Sequence, residues 1–469
     1  MNTLLLSINC FAVLLVSLYC FKRRPFKLLD PTWAFIGGYF INYCVRPALF
    51  LIDPELGSAY ARMFGTGKIL HGFSGTLIFA MLGLAGFAIG NLAAPNLSRK
   101  LSRTLPSFSL EKLFQSKSLP WIAFTFLACG WIGLRSFLSV VGWTGSMLLL
   151  LQGGERGEFS EATFGHGNFT FAAQLSLVGW ALIFAYWVKT PLPKTTGGRL
   201  ARRFTQVIWF LLTVTIWAAF GERSTLLAVL FVPLALRYSL HQKTKDSDQA
   251  RALKAPLRKL VISISVLVFL VAGPLGLIFK GTEASPAAAV SLSISAWDAF
   301  EFTVLAQSDL RARDLHYGST YLQDVFYSWL PRSLFPSKPT RYGIVVVQDQ
   351  LAPELQDNEG ATFPPGILVE AYSNFGYIGL FLIPLLIGIF CHALYFNIYR
   401  DNTYWIVLLS FLFANLASFR GFGGFLALLL AYGTVLFVVI KVALALETMR
   451  SFFIVQPREL PDMGTAHGV

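Results

Sequence analysis

The feature that most constrains this chain is a series of long, uncharged apolar segments that recur along its 469 residues. A helix needs roughly 20 mostly apolar residues to cross the hydrocarbon core of a bilayer. Only 13% of the residues are charged and 55% are apolar, whereas an ordinary soluble domain has about 25% charged residues. The pattern therefore predicts an all-α polytopic membrane protein and argues against a soluble enzyme built around one core.

Eleven segments have the length and composition of membrane spans. The first is not read as a cleaved signal peptide, because its basic cluster, Lys22 to Arg24, follows the apolar run instead of preceding it. The five cysteines all fall within spans, which is typical of small buried side chains and not of disulfides or zinc ligands. The predicted spans are 3–20, 34–52, 74–94, 120–142, 170–188, 206–220, 224–239, 260–279, 366–395, 404–419 and 424–446.

Charged residues differ between the two sides of this predicted bundle. One side holds 25 of the 38 Lys and Arg residues and 8 of the 25 Asp and Glu residues. The positive-inside rule makes that side cytoplasmic, with the N-terminus outside and the C-terminus inside. Because the basic residues follow the topology and form no single stripe, no nucleic-acid partner is expected despite the net charge of +13.

Most of the extramembrane mass lies in one outward loop, residues 281–365. A structureless connection of this length is uncommon, so the loop is expected to be ordered. Helices are predicted over 290–312 and 319–330, the second with an amphipathic pattern. The predicted organisation is eight transmembrane helices over residues 1–280, the periplasmic loop 281–365, three transmembrane helices over 366–446 and a cytoplasmic tail, 447–469.

Several arginines recur on the outward side. An arginine beside the membrane is costly unless something pairs with it, and its fork donates paired hydrogen bonds to phosphate oxygens. Their convergence would make a diphosphate site. The alternative is that they snorkel or form structural ion pairs, above all Arg46 and Arg135, which lie inside spans. The candidates for binding a diphosphate are Arg156, Arg223, Arg332, Arg341 and Arg420.

A proton acceptor is expected on the same side. Glu370, at the mouth of span nine, is the first candidate because a partly desolvated carboxylate is suited to accept a proton; its alternative role is a salt bridge to one of the arginines. His316, in the large loop, is the second catalytic candidate, with an ordinary loop histidine as the alternative. The other outward groups considered are His166, Asp309, Asp314 and Asp324.

The sequence lacks the motifs of several other enzyme classes. It has no zinc-ligand spacing, no Gly-x-Ser-x-Gly elbow and no Walker motif, so no metal or other cofactor is expected. The predicted cytoplasmic side has only short basic connectors and a tail, which disfavours a nucleotide-sugar donor and favours a lipid-linked donor approaching from outside. A transporter of lipid-linked oligosaccharide stays the alternative from another class, although midplane charges and paired inverted halves, typical of transporters, are not found.

Three short motifs and two spacings lie on the outward side. The motifs are Gly221-Glu222-Arg223-Ser224, Pro331-Arg332…Pro336-Ser337-Lys338-Pro339 and Pro365-Gly366…Glu370…Asn374-Phe375-Gly376-Tyr377-Ile378-Gly379. Arg156…Gly167 and Arg332…Gly343 each fit an Arg-x10-Gly spacing. Together with about a dozen spans and one large outward loop, they resemble the bacterial oligosaccharide repeat-unit polymerases, the O-antigen polymerase (Wzy) class, whose members carry that spacing in two outward loops.

The resemblance implies a GT-C-type glycosyltransferase of the bacterial inner membrane that acts at the periplasmic face. The donor would be a growing glycan on undecaprenyl diphosphate and the acceptor a repeat unit on the same carrier, with a chain-length regulator and a flippase as partners. The related O-antigen ligases carry a functional histidine in a region that corresponds to 361–370, where this chain has none; a ligase stays an alternative. Aromatic side chains would stack on the sugars, and the candidates are Tyr317, Tyr321, Trp329 and Tyr342.

Overall fold

The structure is a computed structural model, and its regular secondary structure is helical wherever the chain is described. The described residues are 1–23, 27, 29–52, 65–93, 95–105, 113–114, 116, 118–140, 167–219, 228–229, 231–237, 299–310, 315–328, 330, 335–339, 341–353, 365–400, 402–417, 419 and 421–453. We number the main helices α1 (Asn2–Arg23), α2 (Pro31–Phe40), α3 (Arg46–Ile52), α4 (Thr66–Ala93), α5 (Pro95–Thr104), α6 (Leu119–Val140), α7 (Gly167–Lys189), α8 (Thr196–Ala219), α9 (Ala299–Asp309), α10 (Ser319–Tyr327), α11 (Ile344–Leu351), α12 (Ile367–Tyr399), α13 (Thr403–Ala417) and α14 (Phe422–Phe453).

Seven helical segments of the described residues are long and apolar enough to cross a membrane. They correspond to predicted spans one to five, nine and eleven, so the chain has the construction of an α-helical membrane protein. The seven segments are Asn2–Arg23, Pro31–Ile52, Thr66–Leu92, Leu119–Val140, Ala172–Lys189, Ile367–Tyr399 and Phe422–Leu446.

The other four predicted spans have different outcomes. Residues 206–220 fall largely in α8, which begins ten residues earlier than the predicted span, and 404–419 coincide with α13, which has 15 residues. The span 224–239 is described at 228–229 and 231–237, where it is helical. The span 260–279 lies outside the described residues.

Glycines allow α4 and α12 to pack closely. A Cβ atom on Gly86 would lie 2.3 Å from the carbonyl oxygen of Phe381, and one on Gly90 would lie 2.0 Å from that of Leu385. Larger residues therefore have no room at these two positions. Small residues four apart are the usual means by which membrane helices bring their backbones together, and here they fix the position of α12.

A break at Gly376 divides α12 into two helical parts. Gly376 has φ +61° and ψ −147°, a conformation that glycine adopts far more readily than other residues. The first part, residues 367–375, carries Glu370 and Asn374. The break lets this short part take its own direction at the predicted outward mouth of the membrane helix.

The described parts of the large loop form helices that contact the bundle. The prediction over 290–312 corresponds to α9, with 290–298 outside the described residues, and the prediction over 319–330 corresponds to α10. Helix α11 was not predicted, and Ile344 and the three valines that follow it have a local preference for strands. It forms with Ile344, Val347 and Leu351 buried on one face, so packing overrides local preference.

Candidate functional site

The start of α10 is fastened to the outer part of α12. The backbone N–H of Tyr317 donates to the carbonyl of Asn374 (2.9 Å), and the N–H of Gly318 donates to the Asn374 side-chain oxygen (2.8 Å). The Asn374 amide nitrogen in turn donates to the Thr320 hydroxyl (2.6 Å). Gly318 has φ +88°, which suits the sharp turn into the helix. The large loop therefore meets the membrane bundle at the first turns of α12.

The turn between α13 and α14 joins the same place. The backbone N–H of Ile367 donates to the carbonyl of Phe419 (3.1 Å). Gly366, with φ +102°, comes so close to α9 that a Cβ atom there would lie 2.6 Å from the Cβ of Ala299. The start of α12, the loop helix α9 and the approach to α14 therefore converge on one locus.

Glu370 sits at the centre of this locus and is fully buried. Its Oε2 accepts the backbone N–H of Phe422 at 2.6 Å, and both carboxylate oxygens accept the N–H of Gly423, at 3.2 and 3.3 Å. These amides belong to the first turn of α14, where N–H groups have no partner within the helix and the helix dipole favours negative charge. The carboxylate of Glu370 thus caps α14.

Asp324 lies near Glu370, and both carboxylates approach Gly423. A Cβ atom on Gly423 would lie 2.7 Å from an oxygen of each carboxylate. The Oδ2 of Asp324 and the hydroxyl of Tyr321 are both buried, and neither has a hydrogen-bond partner among the described residues. Two acids and a phenol from α10 and α12 therefore form one cluster at the start of α14, which we call the acid cluster: Glu370, Asp324 and Tyr321.

The acid cluster holds a proton near neutral pH. Burial raises the pKa of Asp324 to about 7, although a hydrogen bond from the Ile344 backbone acts in the opposite direction. Burial, with Glu370 and Asp324 close by, also raises the pKa of Tyr321 well above its ordinary value. Since neutralising a buried carboxyl avoids the cost of an uncompensated charge, Asp324 gains and loses a proton near neutral pH.

Asp324 was only one of six outward titratable groups in the sequence, and its pairing with Glu370 was missed. A signal was present, because Asp324 is the only charged residue in α10 and stands four residues after Thr320. Residues with that spacing share a helix face. Both are buried, so the polar face of α10 is the one that contacts the bundle.

The stability of the fold is expected to fall as the pH rises from about 4 to about 7, because Asp324 ionises near pH 4 in an unfolded chain and near pH 7 in the fold. Within that window the folded state binds more protons, so ionisation costs up to roughly 4 kcal/mol. Above it both states are ionised and this dependence ends. Chemical unfolding in mild detergent across this range measures the slope.

The variant Asp324→Asn is expected to reduce this slope, whereas Asp309→Asn is a matched control. Asp309 is an exposed acid whose partner is Lys68, at 2.7 Å, so its removal should leave the slope unchanged. Among the described residues, the titratable groups that face Asp324 are Glu370 and Tyr321, and both are intact in both variants. An unaltered slope in Asp324→Asn would contradict the assignment of the proton to this residue.

His316 is the accessible one of the two catalytic candidates. Its backbone N–H donates to the carbonyl of Ser373 (2.9 Å), one helical turn along α12 from Glu370, and its ring is partly exposed. The ring Nε2 lies 2.9 Å from the side-chain oxygen of Gln350. An amide oxygen only accepts, so this contact suits the tautomer that carries the hydrogen on Nε2 and has Nδ1 as a proton acceptor.

Arg341 is the described member of the predicted diphosphate set, and its guanidinium is already engaged. Nε donates to Asp349 Oδ2 (2.5 Å), and Nη2 donates to the other oxygen of the same carboxylate. Such a two-point contact occupies the face that would bind phosphate. The other four members, Arg156, Arg223, Arg332 and Arg420, lie outside the described residues.

The sugar-stacking candidates are found in three settings. Tyr317 is exposed, with φ +49°, and Tyr321 belongs to the acid cluster. Tyr342 packs edge-on against Tyr327 with ring centroids 5.5 Å apart, and the Lys338 ammonium lies 4.8 Å from its centroid. Its faces are therefore partly occupied. Trp329 lies outside the described residues.

Arg46 forms a buried ion pair with Glu301 of α9. Its Nε donates to Glu301 Oε1 at 2.8 Å, and both side chains are almost completely buried. The partner of Arg46 could not be predicted from the sequence, because Glu301 is 255 residues away along the chain. Next to this pair, the hydroxyls of Tyr43 and Thr303 are 2.9 Å apart. The loop helix α9 is thereby held against the segment between α2 and α3.

Arg135, near the C-terminal end of α6, lines a cavity of about 460 Å³ between α6 and α7. The cavity presents one guanidinium and two hydroxyls, with apolar side chains around them. Arg135, Ser139 and Val140 are exposed, so the cavity is open to the surroundings. The lining residues are Ile132, Arg135, Ser136, Ser139, Val140 and Phe169.

The fold and this locus define an α-helical membrane protein in which the short helices α9 and α10 pack against the start of the long apolar helix α12. In comparisons with known proteins, no family model, no curated protein and no solved structure matches the chain.

Proposed function

We propose that the chain is a polysaccharide polymerase that elongates lipid-linked oligosaccharide at the outward face of the bacterial inner membrane, as a GT-C-type glycosyltransferase of the O-antigen polymerase class. The observation that carries the proposal is the convergence at the first turns of α12. There the backbone of His316 is hydrogen-bonded to Ser373, one helical turn after Glu370, and Tyr321 lies close to Glu370.

The proposed reaction transfers the growing glycan from undecaprenyl diphosphate to a hydroxyl on the repeat unit of a second carrier molecule. The hydroxyl oxygen forms a bond to the anomeric carbon, while the bond from that carbon to the phosphate oxygen breaks and its electron pair leaves with the diphosphate. The hydroxyl proton passes to a base. His316 is suited to this step, because its Nδ1 is the acceptor of a partly exposed ring.

Glu370 has a different part in this proposal. Its carboxylate is fully buried and engaged by the amides of α14, so we assign it to positioning the mouth of the site. Protonation of Asp324 reduces the negative charge of the acid cluster, and the N-terminus of α14 stabilises the charge that remains. Glu370 thereby keeps the end of α14 and the start of α12 together beneath His316.

The carrier diphosphate gains negative charge as it leaves. It therefore needs cationic hydrogen-bond donors whose interaction with it is stronger in the transition state than in the ground state. Arg135 and the two hydroxyls of its cavity provide such donors at the predicted outward end of α6. Arg156, Arg223, Arg332 and Arg420 stay proposed donors from the sequence, and Arg341 would first have to leave Asp349. A chain-length regulator and a flippase are the proposed partners.

A direct test uses the purified full-length chain in lipid nanodiscs with radiolabelled undecaprenyl-diphosphate oligosaccharide extracted from the organism that carries the gene. A polymerase produces a ladder of longer lipid-linked chains on a gel. If the labelled oligosaccharide stays unchanged in length, the proposal is wrong. Two other outcomes identify the alternatives. In sealed vesicles, a transporter moves the labelled oligosaccharide across the bilayer without lengthening it. A ligase transfers the labelled oligosaccharide to a different lipid.

A further inference from the structure

Helix α10 has its polar face inside and its apolar face outside. Thr320 and Asp324 are buried against the bundle, whereas Leu322 and Phe326, four residues apart, are 59% and 63% exposed. The single charged residue of the helix is Asp324. The outward face therefore presents large apolar side chains and no charge.

This arrangement is the reverse of that of a helix on the surface of a water-soluble domain. Such a helix turns its apolar stripe to the core and its charges to water. Neighbouring exposed apolar side chains usually mark a surface that contacts something other than water. The contacting partner has to be apolar, because the face offers no hydrogen bond or charge.

The anchoring of α10 gives its level relative to the bilayer. Its start is hydrogen-bonded to Asn374, two residues before the break at Gly376. Directly after the break, Tyr377 and Ile378 are 62% and 72% exposed. They begin the exposed apolar surface of α12, which continues at Leu382 and Leu386 along a segment apolar enough to span a membrane.

We propose that the outward face of α10, formed by Leu322 and Phe326, is inserted in the interfacial region of the outer lipid leaflet. The exposed apolar surface of α12 contacts lipid, and α10 is fastened where that surface begins. A lipid partner also accounts for the polar face of α10 being turned towards the bundle. An acid such as Asp324 is excluded from the hydrocarbon, and here it lies against the first turn of α14. Tyr317, which is exposed, lies beside Asn374, at the level where tyrosines are enriched in membrane proteins.

The test uses a photoreactive residue at single positions of the full-length chain in nanodiscs of phosphatidylethanolamine and phosphatidylglycerol. Position 326 carries p-benzoylphenylalanine, and mass spectrometry after irradiation identifies what it has captured. Position 322 is a second, independent probe of the same face, in case the first variant does not fold. Ile378 is the positive control, and Ser328, an exposed polar residue at the end of the same helix, is the matched negative control.

Lipid adducts at 326 or 322 are expected at a yield similar to that at 378 and about tenfold above that at 328, because an interfacial helix buries its apolar side chains among acyl chains. Yields at 326 and 322 no higher than at 328 would overturn the proposal. So would dimeric adducts, which would identify a second copy of the chain as the partner. The experiment requires no substrate, so its result is independent of the polymerase assay.

Discussion

The variant His316→Gln is expected to elongate lipid-linked oligosaccharide about 10²–10⁴-fold more slowly than the unmodified chain, which is the usual contribution of a general base. Its thermal stability is expected to be unchanged, because the ring is partly exposed and its hydrogen-bond partner, Gln350, is close to solvent. Initial rates in the nanodisc assay measure the first quantity and thermal unfolding in the same nanodiscs measures the second.

The matched comparison is Glu370→Gln. A glutamine keeps an oxygen that accepts the N–H of Phe422, so the cap of α14 is retained in part, while the negative charge is lost. We expect this variant to lose about tenfold or less in rate, since a positioning role needs the shape more than the proton affinity. A large loss of elongation rate in Glu370→Gln together with a normal rate in His316→Gln would refute the assignment of His316 as the base. It would indicate Glu370 as the base instead.

The second large effect concerns stability. Arg46→Ala is expected to destabilise the chain by about 3–5 kcal/mol, because it leaves the charge of Glu301 buried without a partner. The free energy of unfolding in mixed detergent micelles is the quantity to measure. Because Arg46 and Glu301 lie between α9 and the second membrane segment, the loop should also become more sensitive to protease.

Two controls separate the buried charge from a general loss of packing. The double variant Arg46→Met with Glu301→Leu removes both charges and is expected to recover most of the lost stability, as apolar replacements of buried ion pairs often do. Lys68→Ala removes an exposed pair, with side chains 43% and 36% exposed, and should cost no more than about 1 kcal/mol. Equal effects of Arg46→Ala and Lys68→Ala would contradict the prediction.

The membrane helices could be predicted because length and apolar composition alone determine them. The seven segments that meet both conditions coincide with predicted spans. One boundary and one helix were less accessible to sequence reasoning. Helix α8 begins in a basic stretch that hydropathy does not assign to a helix, and α11 begins with Ile344 and three valines, whose local preference is for strands.

The candidate site could be predicted less completely, for a physical reason. Glu370 was predicted from the sequence as a carboxylate at the mouth of a membrane helix. Its partners are the backbone amides of Phe422 and Gly423, and these could not be predicted because every residue type except proline has a backbone amide. Asp324 comes close to Glu370 only because Gly343 and Gly423 leave room for it. Contacts of this kind depend on the tertiary fold.

The way in which α14 is capped has a consequence for biogenesis. The last membrane helix receives the partner for its first amides from a side chain 52 residues earlier in the chain, and α10 closes over the same point. During folding, the first amides of α14 therefore lack this partner until α12 has formed and packed against them. The packing of α10, α12 and α14 is thus coupled, because the three helices complete one another only at this point.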